Sequence, residues 1–411
     1  MARFPGYAPQ HAIRIDGAPI PSAMKGSIIS VHCDSSMEGA DQVTVAIANQ
    51  GFQWRDHPLL KPGKPFELAL GYAPDPLPTL FGGEISGLES TFPLSGIPII
   101  TLTAHDRRQR LAQNRHDESH RRTTPSVNNF GVPDIDTIRK VAGSLNTQID
   151  SVGGALSTLT DLAQTAANMA LATPQVAQFG VRIQESMSDF DFLTKIAKDK
   201  GWEMYIDHSL APHGLVLRFR SMTADFTPVA TFKAGANLLD FAPRVTNVGD
   251  VAGVSARVWL ESIKTEIVLI VSWDFERSSL RLKVQLGHRG PIGELLGGGD
   301  GRETIDIKPT SYESAVKQLL NELLPRLNNR LKGTGSVVGD PRVRPGEVVS
   351  IEGVGETFGG LYRVTSAKHS LDGSGYRTNF SVRQEPWFND LKVPAGAAGL
   401  ERALGQIGWR R

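Results

Sequence analysis

The chain has 411 residues, which is enough for two or three domains with substantial cores. Forty per cent hydrophobic and 21 per cent charged residues are ordinary for a soluble globular protein. A net charge of +1 argues against a surface that coats nucleic acid. The single cysteine, Cys33, cannot form an intrachain disulfide, so the fold should not depend on an oxidising compartment.

The distribution of apolar residues indicates whether the protein is exported or crosses a membrane. Residues 1–21 are interrupted by prolines and charges and lack the apolar run of a signal peptide. The longest apolar stretch, Ile267–Val271, is too short to cross a bilayer. We therefore expect a protein that is made in the cytoplasm without a signal peptide and has no membrane segment.

Residues 1–110 predict a first small antiparallel β-barrel. Short β-branched runs at Ser27–Val31 and Gln42–Ile47 are separated by turn residues, and Pro62 presets the backbone of another turn. Several short strands with frequent turns are typical of a small barrel or sandwich.

Residues 111–235 predict a linker, a helical insertion and an α/β middle domain. The charged tract within 106–130 is interpreted as an exposed connection. A helix should begin at Asp134, a helical insertion should occupy part of 143–178, and a further helix should begin at a capping box and end at Gly201. That capping box consists of Ser188 and Asp191, and strands should follow at 202–206 and 215–219.

The remainder of the chain predicts three more regions. Residues 236–310 are expected to be rich in β structure. Residues 311–390 should contain a long helix, from about 311 to 331, and then a second β-barrel. The tail, residues 391–411, is weakly helical.

One short sequence motif occurs twice, once near each end of the chain. A Pro-Gly pair precedes a strand and a Phe-Gly-Gly triplet follows it, in positions that comprise Pro62, Gly63, Phe81, Gly82, Gly83, Pro345, Gly346, Phe358, Gly359 and Gly360. Pro-Gly favours a tight turn, and the glycines after phenylalanine suit a bulge or a close backbone contact at a barrel corner. The alignment also places Thr101 and Thr378 in the same phase of a later strand. Two similar β modules in one chain allow an assembly to present twice as many similar units as it has subunits.

Two short motifs could instead indicate catalysis. His116 and His120 are spaced to share one helical face, with Glu118 between them, but the order differs from that of zinc proteases and no apolar face supports a helix. Ser22 and Lys25 match the spacing of serine acyl-enzymes, yet they sit between Pro21 and Gly26 rather than at an expected helix start. We interpret both motifs as non-catalytic and predict no catalytic, metal or cofactor site.

The chain resembles the phage late control gene D family, which includes the hub of contractile phage tails and the N-terminal part of VgrG-type spikes. The resemblance extends from about Ser27 to Gln384. It is carried by the order and spacing of several segments, namely Trp54–Gly71, Leu80–Ile85, Ala104–Arg107, Glu185–Leu193, Gly339–Gly346 and Phe358–Val364.

The resemblance implies a mainly β, α+β fold with two similar barrels joined by an α/β middle region. It further implies a homotrimeric baseplate hub, a structural virion or injection-particle component whose pseudo-sixfold ring joins a six-fold inner tube to a three-fold spike. The expected partners are other copies of the chain, the inner-tube protein, a separate spike protein and other baseplate proteins, without specific nucleic-acid binding. The hub would be made in the bacterial cytoplasm, and His105 and His369 would be structural.

Two alternatives remain open from the sequence. The chain could be a hub-associated peptidoglycan hydrolase, although no fused hydrolase domain is evident. It could also be a carbohydrate- or receptor-binding β protein, which would be expected to expose aromatic side chains on its loops.

Overall fold

The computed structural model describes residues 8–121, 135–149, 181–199, 202–221, 227–245, 253–260, 265–274, 279–286, 304–307, 328 and 330–385. Strands dominate this part of the chain, so the prediction of a mainly β protein is confirmed. None of the helices that the structure describes is long and apolar enough to span a membrane.

The first β module comprises β1 (Pro9–Ile15), β2 (Ala18–Pro19), α1 (Ser22–Gly26), β3 (Ile28–Ser36), β4 (Gln42–Ala48), β5 (Pro65–Tyr72), β6 (Thr79–Thr91) and β7 (Ile99–His105). Buried and half-buried residues alternate along β4 and β7, as expected for strands with one face on a core. The strands lie in the order β2-β1-β5-β6-β7-β4-β3, and all their pairings are antiparallel. Side chains from all six longer strands share one core, so the sheet curls around it.

The middle domain comprises α2 (Arg108–Gln113), β8 (Arg115–Arg121), α3 (Ile135–Ala142), β9 (Asn146–Ile149), β10 (Val181–Ser188), α4 (Asp189–Asp199), β11 (Trp202–Ile206) and β12 (Val216–Ser221). One sheet has the order β11-β12-β9, and β8 pairs with β10. The helices and the three-stranded sheet bury a common apolar core.

The predicted start of α4 is confirmed in detail. The Asp191 N–H donates to Ser188 Oγ at 3.1 Å, and the Ser188 hydroxyl donates to Asp191 Oδ2 at 2.7 Å. This reciprocal pair satisfies a backbone donor that the first turn of the helix leaves free.

The remaining strands are β13 (Pro228–Lys233), β14 (Leu238–Val245), β15 (Gly253–Leu260), β16 (Thr265–Asp274), β17 (Ser279–Leu286), β18 (Thr304–Ile307), β19 (Leu331–Val338), β20 (Val348–Glu352), β21 (Gly360–Asp372) and β22 (Gly375–Arg383). Four of them form a sheet in the order β17-β16-β15-β18. The other six form the second β module, in the order β13-β20-β21-β22-β19-β14, around a core of their own.

The two β modules share one strand order. If the six longer strands of each module are numbered along the chain, their order across the sheet is 1-4-5-6-3-2 in both. Two β-bulges also recur at matching places, at Ile28/Ser30 and Leu238/Asp240 in one strand pair and at Ile85/Gly87 and Val364/Ser366 in another. The first strand differs, because β1 runs antiparallel to β5 whereas β13 runs parallel to β20.

The prediction of two similar small antiparallel β-barrels needs correction, because neither module closes into a barrel within the residues that the structure describes. The outer edge of β3, which closure of the first module would need, is paired with β21 of the second module. The two modules therefore form one continuous 13-stranded sheet with open ends.

Other sequence-based predictions need correction. The charged tract predicted as an exposed connection contains α2 and β8, because β10 supplies the pairing partner for Arg115–Arg121. A short helix, α1, does begin at Ser22, contrary to our expectation. Residues 150–178 of the predicted helical insertion lie outside the described residues. The predicted long helix, from about 311 to 331, also lies outside them, apart from residues 328, 330 and 331. Leu331, the predicted end of that helix, is the first residue of β19.

Candidate assembly site

The two Pro-Gly pairs form equivalent turns. Gly63 and Gly346 have φ values of +85° and +88°, a region that glycine adopts readily because it lacks a Cβ. The Gly63 N–H donates to the Ile85 carbonyl at 2.7 Å, and the Gly346 N–H donates to the Val364 carbonyl at 2.9 Å. Pro62 and Pro345 precede these glycines, so the Pro-Gly half of the repeated motif has the same structure in both modules.

The Phe-Gly-Gly triplets are not equivalent. Phe66 lies opposite Gly83, and the matching residue of the second module, Val349, lies opposite Tyr362. The structural counterpart of Phe81-Gly82-Gly83 is therefore Gly360–Tyr362, two residues after Phe358-Gly359-Gly360. The later strand is also shifted by one residue from the sequence alignment, so Thr101 corresponds to Asn379.

Gly82 instead marks a contact between the first module and the middle domain. A Cβ at this position would lie 2.6 Å from the His213 carbonyl group, so only glycine permits the approach. The Gly82 N–H donates to His208 Nδ1 at 3.1 Å. Gly359 makes a close contact within the second module, where a Cβ would lie 2.8 Å from the Gly355 carbonyl oxygen.

A buried ionic cluster extends this contact; we call it joint one, and it consists of Asp41, Asp106, Arg108 and His208. Arg108 Nη2 lies 2.7 Å from Asp41 Oδ1 and 2.8 Å from Asp106 Oδ2. His208 Nε2 lies 2.8 Å from Asp41 Oδ2. Because His208 Nδ1 accepts from Gly82, its Nε2 must be the donor to Asp41.

The charges in joint one compensate one another. Burial raises the pKa of Asp41, but Arg108 and the hydrogen bond from His208 outweigh it and hold that pKa below its usual range. Ligand atoms of Asp41, Asp106 and His208 lie within 4.8 Å of one another, as a metal site would require. The guanidinium of Arg108 already supplies the positive charge between the two carboxylates, which explains the cluster as a salt bridge.

A second cluster, joint two, holds the middle domain to the second module; it consists of Glu203, Arg363, Arg383 and Glu385. Arg383 contacts Glu203 of β11 and lies 2.7 Å from Glu385. Arg363 donates to Glu385 at 2.9 Å, and both side chains are fully buried. Burial lowers the pKa of Arg383, but the two glutamates outweigh it and raise that pKa above its usual value.

The second Pro-Gly turn lies beside joint two and also contacts the middle domain. The Gly346 carbonyl accepts hydrogen bonds from Arg220 at 2.6 Å and from Arg363 at 2.8 Å. The ring of Tyr205 would lie 2.9 Å from a Cβ at Gly346. The middle domain thus contacts each module at the end of its last strand, through Asp106 directly after β7 and through Arg383, the last residue of β22.

The two modules meet directly along an internal seam, defined as the antiparallel pairing of Val31–Ser36 in β3 with Ser366–Leu371 in β21. Lys368 Nζ lies 3.3 Å from Asp34 Oδ2 across the seam. His32 Nδ1 lies 3.1 Å from Ser370 Oγ. One face of the joined sheet at this place carries a shallow cleft of about 430 Å³ with mostly small polar side chains, among them Ser35, Ser36, Ser366 and Ser381.

The predicted structural histidines lie in strands. His105 is the last residue of β7, and its Nδ1 lies 2.7 Å from Ser86 Oγ. His369 is buried in β21, where its Nε2 lies 3.0 Å from the Val343 carbonyl and its Nδ1 is 2.9 Å from the Tyr376 hydroxyl. Burial lowers the pKa of His369 to about 4.

The motifs weighed as catalytic are not assembled into a site. His116 and His120 lie on one strand, where residues four apart are separated by roughly 13 Å, too far to share a metal ion. His116 Nδ1 instead lies 2.9 Å from Asp189 at the start of α4. Ser22 and Lys25 are both exposed on α1.

Sequence reasoning did not find the joints or the internal seam. Asp106 lies in the segment Ala104–Arg107 that carried part of the family resemblance, but its role as a buried partner of Arg108 was not predicted. The charged pair Arg383 and Glu385, directly after an alternating strand, was the available signal for joint two.

No protein-family model matches the chain, and no curated protein matches it. Several solved structures are similar to this chain. A tail protein from Neisseria meningitidis aligns with 92% of this chain and 97% of its own at 13% identity and a TM-score of 0.56. A 43 kDa prophage tail protein from Shewanella oneidensis aligns with 93% of this chain and 100% of its own at 12% identity and a TM-score of 0.57.

The chain has the fold of phage tail proteins. A third similar structure is an Escherichia coli component of the type VI secretion system, described as similar to the T4 bacteriophage tail proteins gp27 and gp5. It aligns with 90% of this chain and 76% of its own at 10% identity and a TM-score of 0.50. At such identities the likeness concerns the fold, and at that level it confirms the resemblance drawn from the sequence.

Proposed function

We propose that this protein is the structural hub of a phage-tail or contractile-injection baseplate. Three copies form a ring of six β modules that joins a six-fold inner tube to a separate three-fold spike. Other baseplate proteins then bind around this ring.

One observation carries the proposal: each chain contains two β modules with the same strand order and matching bulges. A surface with six-fold repetition can be matched by three subunits only if each subunit offers two similar units. The internal seam already places the two units side by side in one continuous sheet. The fold neighbours support the setting, because their names describe tail proteins and a component of a secretion system.

The proposed role is structural rather than catalytic. The buried cluster that most resembles a reactive site, joint one, is closed by the Arg108 guanidinium between its two carboxylates. The cleft at the internal seam is lined mainly by small side chains, and its Lys368 pairs with Asp34 across the seam. Among the described residues, the polar clusters named above connect domains, as expected of a structural protein.

The oligomeric state and the partner test this proposal. Native mass spectrometry of the full chain should give a mass of three subunits, and electron micrographs down the ring axis should show six lobes with three-fold symmetry. Co-expression with the inner-tube protein of the same gene cluster should give a complex of both. A chain that stays monomeric at high concentration, alone and with the tube protein, would contradict the proposal.

A further inference from the structure

We propose that neighbouring copies join through the free edge of β6 and the free edge of β14, in the register of the internal seam. The β6 edge is defined as Gly87–Thr91 together with Phe92, which directly follows the strand, and the β14 edge as Phe241–Val245. The inference rests on the proposed trimer and specifies which strands form its subunit contacts.

The two edges have counterparts that are already paired within the chain. The bulge at Ile85/Gly87 matches the bulge at Val364/Ser366, so the β6 edge corresponds to Ser366–Leu371. The same reasoning from β4 and β19 makes the β14 edge correspond to Val31–Ser35. Those two counterparts form the internal seam.

Each module therefore has one edge of each type, and the internal seam uses only half of them. The second module uses its β21 edge and the first module uses its β3 edge. In the described residues, β14 ends the strand order, and β5 pairs with β6 only as far as Glu84. The two remaining edges are of complementary type but belong to different modules, so a head-to-tail contact between copies is the arrangement that repeats the seam.

The exposed side chains on these edges favour contact with protein. Leu88 is 37% exposed and Val245 40%, and Phe92, which directly follows β6, is 57% exposed. In the register of the internal seam, Leu88 lies opposite Val245, and Phe92 lies opposite Phe241. Unpaired strand edges with apolar side chains are templates for pairing with another chain. Pro243 provides no backbone N–H, which weakens the β14 edge as a pairing partner and leaves the contact more dependent on its side chains.

The charges match as well. The internal seam pairs Lys368 with Asp34. The corresponding residues of the proposed contact are Glu89 and Arg244, both exposed and neither ion-paired with any residue that the structure describes. The pair is again of opposite sign, but the signs are exchanged between the two edges.

This exchange of signs disfavours a swapped pairing, in which an edge of one copy would replace a strand of the internal seam in another. If the β6 edge paired with a β3 edge, Glu89 would face Asp34. If the β14 edge paired with a β21 edge, Arg244 would face Lys368. Like charges directly opposite one another destabilise a strand pair, so each edge accepts the correct partner and opposes the wrong one.

Disulfide trapping tests the register. The full chain with Leu88→Cys and Val245→Cys should form covalent trimers on mild oxidation, because the two side chains lie directly opposite across each contact. The matched control combines Leu88→Cys with Leu239→Cys, whose side chain lies at the bulge and is also exposed, and it should not cross-link. Cys33 is buried and its pKa is raised to about 12 by burial, so it should not interfere.

A charge exchange tests the energetics. Glu89→Arg and Arg244→Glu should each raise the concentration at which the trimer dissociates by roughly tenfold, and the double variant should restore it towards wild type. Unfolding midpoints of the separate chains should stay unchanged, because both side chains are exposed.

The outcomes separate this inference from the proposed function. The β6–β14 contact would be overturned, and the hub proposal left standing, if the wild type forms a trimer, the charge variants dissociate at the same concentration as the wild type, and the cysteine pair does not cross-link. A wild-type chain that never forms a trimer would overturn both. Covalent ladders longer than three chains would support the contact and contradict closure into a ring of three.

Discussion

The first β module is held to the middle domain by one arginine between two aspartates, whereas at the second module one arginine lies between two glutamates and a second arginine shares one of them. In joint one, Arg108 is the cation that contacts both Asp41 and Asp106. In joint two, Glu385 is contacted by both Arg363 and Arg383. The same strand order thus carries different chemistry at corresponding corners, and the two joints should differ in how much they depend on a single side chain.

The largest effect is expected from removing the lone arginine. Arg108→Met leaves Asp41 and Asp106 buried together without their cation, and we expect a loss of about 3–5 kcal/mol of unfolding free energy. Arg383→Met should cost less, because Glu385 keeps its contact with Arg363 and only one carboxylate, that of Glu203, loses its ion pair with arginine. Guanidinium unfolding of both variants measures the difference.

Arg110→Met is the control for this comparison. Arg110 pairs with Glu84 on the surface with 60% of its side chain exposed, so its removal should cost at most about 1 kcal/mol. If Arg108→Met does not fold, adding Asp41→Asn and Asp106→Asn should recover soluble protein by removing the buried charges. Equal effects at Arg108 and Arg383 would show that the joints do not differ as described.

A second difference between the modules concerns pH. His369 is buried in β21, whereas its counterpart in β6 is Ser90, which is exposed. Burial lowers the pKa of His369 to about 4 in the folded protein, while the unfolded chain has a value near 6.5. Below pH 6.5 the unfolded state therefore binds a proton that the folded state does not, and stability falls as the pH decreases towards 4.

We expect this single group to cost on the order of 3 kcal/mol between pH 7 and pH 4. Urea unfolding of the wild type and of His369→Gln across this range should show a weaker pH dependence in the variant. Asp41 also destabilises the protein in acid, because its folded pKa is depressed and its contribution is lost as the pH falls through that value. That contribution is present in both proteins, so the difference between their slopes isolates His369. Identical slopes would contradict the assignment.

The sequence predicted features with local causes. The Pro-Gly turns, the alternation along β7 and the capping box of α4 each depend on residues a few positions apart, and the structure contains all three. The Phe-Gly-Gly triplets were matched by their letters, but the strand register shifts them by two residues. A match of letters cannot detect such a shift, because register is decided by pairing with another strand.

The internal seam and the joints have causes that are distant in the sequence. Asp34 and Lys368 are 334 residues apart, and neither position looks unusual within its own strand. Arg383 and Glu203 are 180 residues apart. The family resemblance implied two similar modules. Only the strand pairings of the structure show that the modules meet through the edges of β3 and β21.

The smallest expected effects concern the two Pro-Gly turns, and they test whether the turns are equivalent in isolation and different in context. Gly63→Ala places a Cβ at positive φ with no atom within 4 Å, so its cost should be the backbone strain alone, about 1–2 kcal/mol. Gly346→Ala carries the same strain and also brings a Cβ to 2.9 Å from the Tyr205 ring, so it should cost about 1 kcal/mol more. Combining Gly346→Ala with Tyr205→Leu should return the cost towards that of Gly63→Ala, because the clash is removed and the strain remains. A Gly346→Ala cost that the second substitution leaves unchanged would mean that the turn does not support the middle domain, and that the contact at joint two depends on the arginines alone.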